Sequence, residues 1–302
     1  MAKKLIAIVM ALALVLSFAA CGGKGDDTTT APETTTDSFD AFGEETTAAP
    51  AEDPSATDAS APVADDTTAA PADATTAAAA GDTTTAAASK APQTKEEIVA
   101  YFNTAINGVK KGAKSVTHHY SKISLNGATK LPSWANSVLK LLGGADKFID
   151  DQLKKNSKGE ETFNGSEAIK AGFPVEGESW SSKLTPADVQ SAVLKESNGK
   201  YMIRITTVAD GRSATVKHGE GHAPKAFNVI LPGIVNDNVP SAAASLVGGT
   251  AEMSYPSSTV TVTVDAATGK VLKADYDLKW TIHFGSDTVL PFTTLDSYTI
   301  NW

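Results

Sequence analysis

Cysteine is nearly missing: 302 residues contain one, Cys21. A single thiol builds no disulfide framework and no paired-thiolate zinc site. Long apolar runs are confined to the first twenty residues. Beyond Ala20 no stretch approaches ~18 consecutive apolar residues, so nothing after it is expected to span a bilayer. Catalytic signatures are missing too. The chain holds no phosphate loop, dinucleotide fingerprint or Asp-x-Asp calcium loop. Its nearest approach to a serine-hydrolase elbow, Gly177-Glu178-Ser179-Trp180-Ser181, lacks the closing glycine. No enzymatic activity and no cofactor is therefore supported by a motif.

What the first residues do contain is an ordered signal. Lys3 and Lys4 give a short positive region, and Leu5 to Ala20 run sixteen residues without a charge. That length suits a cleaved signal better than a membrane span. The run closes on Ala19-Ala20-Cys21-Gly22. This arrangement resembles the lipobox of bacterial lipoproteins, with Phe18 standing where the family has an aliphatic residue. The resemblance implies that residues 1–20 are a signal peptide and that Cys21 is acylated as the new N-terminus. An ordinary secretory signal and an uncleaved anchor are the alternatives. Two acyl chains at about 0.8 kcal/mol per buried methylene hold a protein on a bilayer where one does not. The expected location is the extracytoplasmic face of the cell membrane, with no thiol left as a nucleophile.

Composition then changes sharply. Residues 21–92 are rich in Thr, Ala, Asp and Pro, with near-repeats such as Thr46-Thr47-Ala48-Ala49-Pro50 and Thr67-Thr68-Ala69-Ala70-Pro71. Large apolar residues are almost confined to Phe39 and Phe42, so no core offsets the ordering entropy and a disordered tether is expected. Residues 22–90 carry fourteen acids against two lysines. Charge repulsion and proline favour extension, on the order of 45 Å as a coil and roughly 200 Å as polyproline. An O-glycosylated stalk, or a docking motif at Ser38-Phe39-Asp40-Ala41-Phe42, are rival readings of this segment. The tether also explains the net charge of −9, because the remainder has 22 bases and 21 acids. Nucleic-acid binding is not supported by so neutral a domain.

Residues 93–302 are enough for one sizeable core. Thr94-Lys95-Glu96-Glu97 forms a capping box, and Ile98, Phe102, Ala105, Ile106 and Val109 make a helical apolar stripe ending near Gly112. A strand over 114–125, short helices over 131–142 and 145–153, and a helix start at Thr185-Pro186-Ala187-Asp188 follow. Beyond Val193 the period is two. Asn198-Gly199 marks a hairpin, and strands are predicted at 213–218, 226–231, 250–255, 259–265, 270–284 and 288–302, the last broken near Pro291. The class is α+β, with a mainly antiparallel, curved sheet and N-terminal helices packed on one face. At the level of architecture alone this resembles lipoprotein-carrier and mycobacterial glycolipid-carrier folds, whose likeness implies an apolar cavity for a lipid tail.

Chemistry-bearing candidates are few. His218, Glu220 and His222 share one side of an extended chain and would suit zinc, yet Gly219 and Gly221 favour a loop of solvated histidines. His118 and His119 are strand neighbours facing opposite ways, so they do not chelate together. Trp180 is a ligand or partner platform if its loop exposes it. Tyr298, Ile300 and Trp302 share one face and read as core. The function expected is a non-catalytic, membrane-anchored ligand-binding domain for a lipid or other small amphiphile. A structural or protein-interaction module of the envelope is the alternative, and a metal-dependent envelope hydrolase the third.

Overall fold

The computed structural model describes residues 91–140, 143–155, 159–238 and 249–302. The signal run, Cys21, the tether up to Lys90 and the end of the 131–142 helix lie outside the described residues. A sheet-dominant α+β domain results, with an open antiparallel sheet of nine strands. Helix α1 (Lys95–Gly112) begins with the capping box: Glu97 N–H donates to Thr94 Oγ1 at 3.2 Å and Thr94 N–H to Glu97 Oε2 at 3.1 Å. Its predicted stripe is buried, Phe102, Ile106 and Val109 completely. It packs on strands β3 (Val189–Ser197), β4 (Lys200–Thr207) and β8 (Val271–Phe284).

Strand β1 (Ser115–Leu125) pairs with β2 (Glu161–Asn164) and with β9 (Thr288–Asn301). Helices α2 (Ser133–Leu139) and α3 (Ala145–Lys155) stand between β1 and β2 in the chain, and α4 (Ser166–Gly172) follows β2. The sheet order is β2-β1-β9-β8-β7-β4-β3, with β7 spanning Thr259–Asp265. Beyond β7, β8 continues against β6 (Ala251–Tyr255), which pairs with β5 (Asp210–Ser213). β6 and β7 thus run along one side of β8, interrupted at Pro256. Proline offers no N–H to a ladder, and Ser258 mends the gap, its Oγ accepting Lys279 N–H at 2.9 Å.

The hairpin signal holds in detail, since Asn198 (φ 50°) and Gly199 (φ 69°) both adopt the positive φ that a two-residue turn of this kind needs. Other expectations are corrected. Thr185 to Asp188 do form a capping box, but it encloses a single 3-10 turn (Pro186–Asp188), because the Val- and Leu-bearing segment after it pairs with β4 as β3. No strand forms at 213–218, where β5 ends at Ser213. Residues 226–231 are irregular, their Ala226, Phe227 and Val229 buried as core filling, and helix α5 (Pro232–Asn238) starts next. Nor does Pro291 break β9. Its carbonyl accepts Asn126 N–H at 3.0 Å, so its missing N–H faces past the end of β1 and no bond to β8 is lost.

The C-terminus fastens α1 to the sheet. Trp302 Nε1 donates to Val271 O at 2.8 Å, and its ring covers Gly108 and Gly112, one helical turn apart. A second close approach is at Gly172, where a Cβ would fall on the Phe163 ring. Gly172→Ala is expected to lower stability by about 1–3 kcal/mol in urea denaturation, because the ring must leave its place beside β1. An unchanged midpoint would show that this junction is loose.

Candidate functional site

The site begins on the polar margin of α1. Asn103, Asn107 and Lys110, spaced four and three residues apart, stand beside the apolar stripe. Asn107 Nδ2 donates to Ser182 O at 2.8 Å while its Oδ1 accepts Ser181 and Ser182 N–H at 2.6 and 2.9 Å. Asn103 Nδ2 donates to Leu184 O at 2.7 Å and its Oδ1 accepts Ser182 Oγ. Lys110, 5% exposed, donates to the carbonyls of Val175 (2.6 Å), Glu178 (3.0 Å) and Trp180 (3.1 Å). Burial lowers its pKa to about 8 despite the opposing pull of Glu176 and Glu178. These three side chains hold the whole segment 175–184, which has no ladder of its own. Sequence reading missed them, because the helix pattern shows only a polar margin and the partners lie 65 to 81 residues further along the chain.

That segment carries Trp180 to a second loop. The half-buried indole lies over Gly219, ring atoms 3.6 Å from where a Cβ would stand, and Lys183 Nζ is 4.1 Å from the ring centre. His218, next to Gly219 in sequence, is half-buried, its Nδ1 enclosed and without a hydrogen-bond partner among the described residues. Burial lowers its pKa, with Glu178 and Lys110 acting in opposite directions. The two loops are joined again where Lys183 N–H donates to Lys225 O at 2.9 Å.

His222 looks the other way. Its Nδ1 is 2.8 Å from Asp188 Oδ1, and Lys225 Nζ meets the same oxygen at 2.7 Å. Asp188 also accepts Thr185 N–H and Thr185 Oγ1 at 2.8 and 2.7 Å. Burial pushes the Asp188 carboxyl up, but the bonds from Lys225, Thr185 and His222 outweigh it and hold the pKa at about 2. An ionised carboxylate only accepts, so His222 Nδ1 carries the hydrogen. This is how an orienting carboxylate holds a general base, yet among the described residues no hydroxyl or thiol partners Nε2. Gly219 (φ 83°) and Gly221 (φ 70°) turn the chain between the histidines, so His218, Glu220 and His222 do not share one extended face. Among the described residues no group of three His, Cys, Asp or Glu is placed to hold a metal ion.

Glu220 faces a different feature. A cavity of about 240 Å³ opens between β5, the 214–221 loop and β6, lined among others by Asp210, Ser213, Thr215, Glu220, Gly221 and Tyr255. Asp210 is fixed, its two carboxylate oxygens accepting His222 and Ala223 N–H at 2.7 and 2.8 Å. A Cβ at Gly221 would stand 2.6 Å from Asp210 Oδ1, so only glycine lets this loop close over the carboxylate. Glu220 Oε2 accepts Lys217 N–H at 3.1 Å. Tyr255 forms a wall, its hydroxyl donating to Ile230 O at 2.8 Å and its pKa raised first by burial and then by Asp210. The site thus gathers Trp180, the 218–222 loop and a carboxylate-bearing pocket at one corner, while Cys21 lies outside the described residues. No family model, curated protein or solved structure matches this chain.

Proposed function

We propose that the protein is a lipoprotein anchored through Cys21 on the extracytoplasmic face of the cell membrane. Residues 21–92 are the tether, and residues 93–302 are a non-catalytic ligand-binding domain. In this reading the sheet is curved and the N-terminal helices pack on one of its faces, leaving the loop corner open to ligand. The sequence Ala19-Ala20-Cys21-Gly22 supports the anchor. Among the described residues no helix is long and apolar enough to cross a membrane.

The observation that carries the binding role is the pocket beside β5. Two carboxylates, two hydroxyls and an aromatic wall converge on about 240 Å³, below the usual range for drug-sized ligands. Of the amphiphile class expected from sequence, this pocket suits a small polar, cationic or hydroxyl-bearing head and not an acyl chain. The rival role, a protein-interaction module of the envelope, draws on the sheet edge β3, where Val193 is 39% exposed. Native mass spectrometry of the full chain recovered from its own envelope separates them. A small molecule retained by the parent chain and lost from Glu220→Gln is expected. Parent and variant both recovered without any small molecule, but with a co-purifying protein, would favour the rival.

A further inference from the structure

On the buried face of the sheet His118, Asp296, Tyr276 and Tyr298 stand together. Register sets His118 opposite Tyr298 and Tyr276 opposite Asp296, and residues directly opposite share a face. His118 Nε2 lies 3.0 Å from Asp296 Oδ1, and the imidazole stacks on Tyr298 with ring centres 4.4 Å apart. Tyr276 meets Tyr298 edge-on at 5.9 Å. Phe173 and Phe227 close over the two tyrosines, each edge-on, at 5.2 and 5.6 Å.

Enclosed in this way Tyr276 is 4% exposed, and among the described residues its hydroxyl has no hydrogen-bond partner. Buried hydroxyls in native proteins are almost always paired, with protein or with ordered water. Burial raises the pKa of both tyrosines, and the nearby Asp296 charge raises it further, so both stay protonated and able to donate. Asp296, an acceptor, is directly across the strand pair. A buried water needs two to four polar partners, and this face supplies a buried phenol donor opposite a carboxylate acceptor whose side chain is only 14% exposed.

We infer that one water molecule is held permanently on the buried face of the sheet, accepting from Tyr276 Oη and donating to Asp296. Through the His118–Asp296 pair it links β8 to β9 and β1, so three central strands share one polar tie. The site is independent of the pocket beside β5 and of any ligand there.

Crystals of the full chain and of Tyr276→Phe, at a resolution of about 1.8 Å or better, test it. The variant removes only the hydroxyl and keeps the ring contacts with Phe227 and Tyr298. A peak within hydrogen-bond distance of Tyr276 Oη and Asp296 is expected in the parent and not in the variant. Thermal unfolding should show the variant melting about 2–4 °C lower, since one hydrogen bond to ordered water is lost. A parent map without the peak would overturn the inference. So would a variant melting at or above the parent temperature, the result expected of an unpaired hydroxyl.

Discussion

Replacing Lys110 by methionine is expected to lower the unfolding free energy by about 3–5 kcal/mol, a large effect for a residue on the polar margin of a helix. Methionine fills the volume of the lysine stem but leaves the carbonyls of Val175, Glu178 and Trp180 without their shared donor. Each buried acceptor left unpaired costs about 1–3 kcal/mol, partly recovered where water enters. Amide exchange should report the loss first in 175–184. A pH series isolates the ammonium. Its pKa is about 8 in the folded protein against 10.5 unfolded, so between these values the unfolded chain binds more protons and stability rises with pH. Parent minus variant should therefore widen by about 1–2 kcal/mol from pH 8 to about 9.5. A gap that narrows would mean the lysine is not buried as described.

Asp188→Asn is the second large expected effect. The buried carboxylate takes bonds from Thr185, His222 and Lys225, and removing its charge strands the lysine and frees both loops. Losing one partner of such a buried group costs about 3–5 kcal/mol, lowered here because Lys225 can turn to solvent. The acid limb carries the same signature. A carboxyl lowered from 3.8 to about 2 contributes stability that is complete above pH ~4 and disappears as pH falls through the folded value, about 2 kcal/mol in all. Urea midpoints at pH 5 and pH 2 should therefore converge for parent and Asp188→Asn. Parallel acid limbs would show that His222 and Lys225 do not act through this carboxylate.

Both effects concern contacts that the sequence conceals. Local signals are legible where a few neighbouring residues decide the outcome: the Thr94–Glu97 box and the Asn198-Gly199 turn. Strands β6 to β9 follow the period-two pattern for the same reason. Where partners lie far away, local chemistry misleads. The Thr185–Asp188 box announces a helix, but pairing with β4 takes the chain at Val189. Phe227 and Val229 have strand character, yet they fill the core without pairing, Phe227 edge-on to Tyr276. The candidate site was half visible. Trp180 and the 218–222 loop stand out separately as residue types, whereas their meeting over Gly219 and the role of Asp188, Asp210 and Lys110 depend on contacts 12 to 70 residues apart in sequence, which no local pattern encodes.

The loop corner is built rigidly for a domain without a sequence-encoded catalytic motif. Asn103, Asn107 and Lys110 hold one loop, Asp188 and Asp210 hold the other, and Glu220 is left facing the pocket with one oxygen engaged. Such preorganisation lowers the ordering cost of taking up a small ligand, in accord with the binding role proposed for it.

That role depends on where the domain is placed, and one peptide decides it. Trypsin cuts after Lys24, so the acylated chain begins with Cys21-Gly22-Gly23-Lys24. Mass spectrometry of the membrane fraction is predicted to find this tetrapeptide with a diacylglyceryl group on its sulfur, and Cys21→Ser should abolish it. A peptide running unmodified from Leu5 through Ala20 to Lys24, or an unmodified Cys21 in the soluble fraction, would contradict the anchor.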